Sequence, residues 1–204
     1  MALAASLPEG RVLRAMVWIA FAIVVITDFG YLLIIRAQES HPPDAFTVPF
    51  VAVFVALMAA MLGASLFGTP TLVRLRPALR AGAASGLLVI GVMALWSIGL
   101  LLVLAGALTA GAAVRSLAGF HLTAVASEVM AAVLVLVVLI SGFEVTERLI
   151  VCPASGSGSG AGPGFVTGGY HWECVNGQLH MHSGFCNSGS TSIDLTGNVT
   201  TTCR

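Results

Sequence analysis

Apolar residues fill the first three-quarters of this chain in long runs, and a polar segment of about 50 residues follows. Four stretches reach the roughly 20 mostly apolar residues that a membrane-crossing helix needs. They lie at about residues 16–35, 47–67, 84–106 and 120–143. Each is predicted to be helical, because hydrocarbon offers a backbone amide no partner and a helix satisfies its own. The third lies within a longer apolar run, Gly82 to Val114. That run reads as too long for one upright span and too short for two, so tilt is the expected remedy. Arg11 and Arg14 precede the first stretch as they would in a signal peptide. Its length, and the lack of a small-x-small site after Tyr31, favour a retained helix.

Composition agrees with this pattern. Of 204 residues, 57% are hydrophobic and 9% charged, against about 25% charged in a soluble domain. A net charge of zero argues against a nucleic-acid partner. The lipid bilayer is the first partner implied, with another membrane protein or a second copy of the chain as further candidates.

Arginine placement sets the expected orientation, since short cytoplasmic loops carry the excess. With four spans, Arg11, Arg14, Arg74, Arg76, Arg80 and Arg148 share one side, and Arg36 and Arg115 the other. That count puts the N-terminus and the C-terminal tail in the cytoplasm, with the plasma membrane as the site of insertion. Small residues at helical spacing suit close helix contact: Ala59 with Gly63, Ala60 with Ala64, and Ala107 with Gly111.

Two carboxylates, Asp28 and Glu128, fall inside the predicted spans. Ionisable groups at such depth face a bundle interior or a cavity. In a four-span chain the two acids are level. His121 lies two turns before Glu128, and Tyr31 one turn after Asp28. These four residues define a candidate intramembrane polar site for protons, a cation or a polar ligand. A hydrogen-bonded structural pair is the simpler alternative.

The tail begins with a Gly/Ser-rich stretch, residues 152–164, which reads as a flexible linker. Residues 165–204 form the second candidate domain, after a first one spanning 1–151. Asn176-Gly177, between two alternating runs, is a strong hairpin signal, because a type I′ turn needs positive φ at both positions. A two-residue turn fixes the register: Glu173 opposes His180 and His171 opposes His182. Three of the five histidines then share one face with Glu173, a donor set suited to zinc or copper. A second hairpin is expected between Ser192 and Cys203.

All four cysteines, Cys152, Cys174, Cys186 and Cys203, lie in this tail. They could form two disulfides in an oxidising compartment or serve as thiolates in a reducing one. Cysteine usage thus places the tail outside the cell, against the arginine count. The arginine count draws on more residues and carries the expectation of a cytoplasmic tail.

The chain therefore reads as an all-α membrane bundle of four transmembrane helices, with a small C-terminal all-β, Cys-rich tail on a Gly/Ser linker. The expected role is an accessory or partner-binding membrane protein whose tail is a recognition or metal-binding module. The alternative is a small transporter or proton/cation-handling protein using Asp28 and Glu128. With no nucleophile–base pair or cofactor motif in the sequence, no catalytic role is expected.

Overall fold

The computed structural model describes residues 10–37, 46–117, 122–146, 148–152, 154, 157–162, 169–183, 189–193 and 199–203. It is mostly helical. Helix α1 spans Arg11–Ala37, α2 Thr47–Leu66, α3 Pro70–Met93, α4 Leu100–Leu117 and α5 Leu122–Thr146, with a π-helical turn at Leu95–Gly99 before α4. Five strands follow: β1 Ser157–Gly162, β2 Tyr170–Val175, β3 Gln178–Ser183, β4 Gly189–Ile193 and β5 Val199–Cys203. Contacts divide the chain into two units, residues 1–39 with 52–139, and residues 40–51 with 140–204.

Where four spans were expected, five helices among the described residues are long and apolar enough to cross a membrane. The third apolar run is a hairpin. Its first arm is not confined to the run, because α3 begins at Pro70 and takes in Arg74, Arg76 and Arg80. Proline suits the first helical position, where its missing N–H is not needed. The arginines lowered the apparent hydropathy of this segment and made it read as a loop. Arg76 Nη2 donates to the Phe67 carbonyl at 3.0 Å, satisfying an acceptor that the end of α2 leaves open.

Glycines let the two arms of the hairpin close. A Cβ on Gly106 would sit 2.9 Å from Leu88 Cγ, and one on Gly91 would sit 2.8 Å from Val103 Cγ2 and from the Val103 backbone nitrogen. At the tip, a Cβ on Gly99 would run into the backbone of Gly91 and Ala94. The Gly99 amide instead donates to the Ala94 carbonyl at 2.9 Å. Trp96, at this tip, is 98% exposed.

Successive helices of the first unit run antiparallel. Phe21 of α1 packs on Gly63 of α2, while Met61 and Met58 of α2 pack on Gly82 and Gly86 of α3. Met16, near the start of α1, meets Gly111 near the end of α4. Helices α3 and α5 run parallel: Gly82 faces Ala131 and Val135, and Ser85 Oγ donates to the Ala132 carbonyl at 3.4 Å. Of the small residues picked out by spacing, Gly63 and Gly111 do receive a neighbouring side chain. Close contacts that spacing alone did not mark lie at Gly82, Gly86, Gly91 and Gly106.

The interior of this unit is built of Val17, Ala20, Val24, Met58, Leu62, Ala83, Leu87, Leu102, Ala105 and Leu139. Its outer surface carries Ile19, Ile26, Phe29, Val53, Leu100, Val133, Leu134 and Val137. Large apolar groups on the outer surface suit helices solvated by hydrocarbon.

In the second unit, β1, β2 and β3 form an antiparallel sheet in that order, and β4 pairs with β5 separately. The first hairpin has the expected register, with His171 opposite His182 and Glu173 opposite His180. Asn176 and Gly177 have φ of 50° and 80°, as a type I′ turn requires. The second hairpin is also present, with Ile193 opposite Val199; its turn, residues 194–198, lies outside the described residues.

Part of the stretch read as a free linker is a strand. Residues 157–162, Ser-Gly-Ser-Gly-Ala-Gly, pair with β2 along its whole length. The reason lies in the partner strand. The Trp172 indole lies over Gly158 and Gly160, and a Cβ at Gly160 would come within 2.6 Å of its ring. An aromatic side chain laid across a cross-strand glycine covers backbone that glycine leaves bare.

Candidate functional site

Two groups of residues could carry function: the polar groups among the helices, and the histidine face of the β2–β3 hairpin. Each lies within its own unit.

Asp28 is half-buried in α1, next to the buried Thr27, and Tyr31 is half-buried one turn on. Glu128 is 6% exposed, on the stripe of α5 that also buries Val135 and Leu139. Asp28 Oδ1 and Glu128 Oε1 are both buried without a hydrogen-bond partner among the described residues. They do not form one site. α1 and α5 run parallel; Asp28 is seventeen residues into its helix and Glu128 six into its own. Met16 of α1 meets Gly111 of α4, which the α3–α4 and α3–α5 contacts set level with about Ala131 of α5, so Asp28 lies well beyond Glu128 along the bundle. The expectation that they are level depended on a four-helix count, which reverses the direction of the last helix. His121 lies outside the described residues.

Glu128 has a different neighbour in depth. The α3–α5 contacts through Gly82, Ala131 and Val135 set Arg80 at the same level as Glu128. Arg80 is 1% exposed, the largest fully buried side chain of the chain's described residues. Sequence reading had assigned it to a cytoplasmic loop. A cue was available: Arg80 stands four residues before Ala84 and seven before Leu87, on the helical face that the bundle buries.

The tail site is built on β2 and β3. Strand alternation sends Tyr170, Trp172 and Cys174 to one face. Cys174 is fully buried there and is disulfide-bonded to Cys152, with Cα atoms 5.5 Å apart. Tyr170 is buried too, and the Arg148 guanidinium carbon lies 5.9 Å from the centre of its ring. Arg148 also pairs with Glu144 at 3.1 Å. The side chain of Cys203, and Cys186 altogether, lie outside the described part of the molecule.

The opposite face carries His171, half-buried, with exposed Glu173, His180 and His182. The His171 and His182 rings are stacked, with centroids 4.8 Å apart and planes 14° from parallel. His171 Nδ1 is buried without a hydrogen-bond partner among the described residues. As the rotamers stand, no three His, Cys, Asp or Glu side chains among the described residues converge on a common point. The quartet is thus grouped by backbone register, with its rings stacked rather than aimed together.

Comparison of the chain with protein-family models, with curated proteins and with solved structures gave no match.

Proposed function

We propose that this chain is an integral protein of the plasma membrane that crosses it five times and displays its β module outside the cell. In this reading it is an accessory or partner-binding protein, its module is a recognition surface, and it has no catalytic role. The observation that carries the reading is the α3–α4 hairpin at Ala94–Gly99, which makes the number of apolar helices among the described residues odd.

An odd count supports both lines of sequence reasoning that four spans set against each other. Arg11, Arg14, Arg74, Arg76 and Arg115 then lie toward the cytoplasmic side with the N-terminus, Arg80 is buried within α3, and Arg36 and Arg148 fall outside. The tail moves to the oxidising side, where a Cys152–Cys174 disulfide persists. The exposed Trp96 at the hairpin tip suits a headgroup region. The test is labelling of intact cells with a membrane-impermeant thiol reagent, before and after an impermeant reductant. Labelling of Cys152 and Cys174 only after reduction is expected. Labelling that requires permeabilised cells returns the tail to the cytoplasm and overturns the reading.

A second reading, proton or cation handling, is favoured by the orphaned oxygens of Asp28 and Glu128. Buried polar groups normally have partners, and a transported ion or a water chain would supply them. With the two acids at different depths they would act as successive stations. Asp28→Asn and Glu128→Gln should then each abolish a flux in reconstituted vesicles without loss of folded protein. An unchanged flux, or none in the parent protein, removes this reading.

A further inference from the structure

We infer that His171, Glu173, His180 and His182 form a binding site for one divalent transition-metal ion of the zinc and copper class, on the outward face of the β2–β3 hairpin. The inference deepens the recognition role proposed above by naming a ligand, and rests on that reading only for the side of the membrane on which the metal is met.

The backbone carries the argument. His171 is directly opposite His182, and Glu173 is directly opposite His180. Residues two apart along a strand share a face, so the four side chains rise from the corners of one quadrangle. Its edges are about 5 Å across the strands and about 7 Å along them. Each corner is therefore roughly 4 Å from the axis through the centre, and an imidazole or a carboxylate can reach an ion held a few ångströms above the sheet. The third strand sets Ser159 and Ala161 opposite Glu173 and His171, two small residue types beside the quartet.

Three features favour a metal over a merely solvated face. Three of the four donors are imidazoles, which borderline divalent ions prefer and calcium or magnesium do not. His171 Nδ1 is buried and lacks a partner among the described residues, although a buried ring nitrogen ordinarily has one. The other face of β2 is pinned by the Cys152–Cys174 disulfide and by Trp172 over β1, so the corners are held while the side chains remain able to turn. The stack itself is not a ligating geometry. Zinc–nitrogen bonds of about 2.0–2.1 Å in a tetrahedral site need nitrogens roughly 3.3 Å apart. The two imidazoles, at 4.8 Å between centroids, must turn edge-on to the ion. Metal binding should accordingly unstack them.

The test uses the full chain, purified in detergent with its disulfide intact and stripped of metal by a chelator. It is titrated calorimetrically with zinc, copper(II), calcium and magnesium separately. One equivalent of zinc or copper should bind with a dissociation constant in the micromolar range or tighter, with no heat from calcium or magnesium. His171→Ala with His182→Ala should weaken binding by roughly two orders of magnitude, and Glu173→Gln by less. His121→Ala should leave it unchanged. Binding that survives the double variant, or its absence from the parent protein at a metal concentration of about 100 μM, overturns the site. Detergent titration is blind to sidedness, so its failure leaves the thiol-labelling result standing, and the reverse holds too.

Discussion

Removing the Cys152–Cys174 disulfide should release β1 from its sheet while leaving the helices unchanged. The bond links residues 22 apart. In the chain-entropy treatment a closed loop of that length removes about 11 cal/mol/K from the unfolded ensemble, worth about 3.4 kcal/mol at 25 °C. Opposing this is the composition of β1, where Gly158, Gly160 and Gly162 each cost roughly 0.5–1 kcal/mol more than alanine to order in a strand. No large apolar residue of β1 offsets that cost; the Trp172 ring over Gly158 and Gly160 supplies the packing. The staple and the glycine penalty are thus of similar size, and β1 should not persist without the staple. Native-state hydrogen exchange measures this directly. In Cys152→Ala with Cys174→Ala, amides of residues 157–162 and of their β2 partners should lose about 250-fold in protection, which is 3.4 kcal/mol at 1.4 kcal/mol per decade. Protection in α3 and α4 should be unchanged. Equal protection of β1 in the parent and the double variant would refute the reasoning and show that pairing with β2 suffices.

Other perturbations separate the remaining contacts. Gly160→Val should push Trp172 off β1, costing roughly 1–3 kcal/mol and shifting tryptophan emission to the red in a variant lacking Trp18 and Trp96. Gly106→Leu should force α3 and α4 apart at Leu88, lowering thermal stability in detergent; an unchanged melting temperature would contradict the close hairpin. Gly177→Val places a β-branched residue at φ 80°, so the β2–β3 turn should weaken by more than about 1 kcal/mol, read as increased exchange of the His180 and His182 amides.

Much of this architecture was legible as local pattern. Hydrophobic runs marked α1, α2 and α5, because a backbone in an apolar setting has only its own helix to bond to, whereas the third expected span, 84–106, straddles the turn between α3 and α4. Asn176-Gly177 fixed the hairpin register and hence the grouping of His171, Glu173, His180 and His182, because positive φ at two adjacent positions selects one turn. Helix α3 was less legible. Arg74, Arg76 and Arg80 masked its first turns, and only packing tells a buried arginine from one in a loop. The strand in the Gly/Ser stretch was hidden for a related reason: its structure comes from Trp172, twelve residues away across the sheet from Gly160.

Taken alone, the sequence determined the local elements, since helical propensity, alternation and turn chemistry act over a few residues. Tertiary structure decided the number of helices and the direction of the last one, and with them the depth of Glu128 relative to Asp28. It also decided which cysteine meets Cys174. These depend on close approaches, Gly91 to Val103, Gly106 to Leu88 and Trp172 to Gly160, between residues that only folding brings together. Whether a glycine is a gap in a helix or a seat for a neighbour is settled by what packs against it.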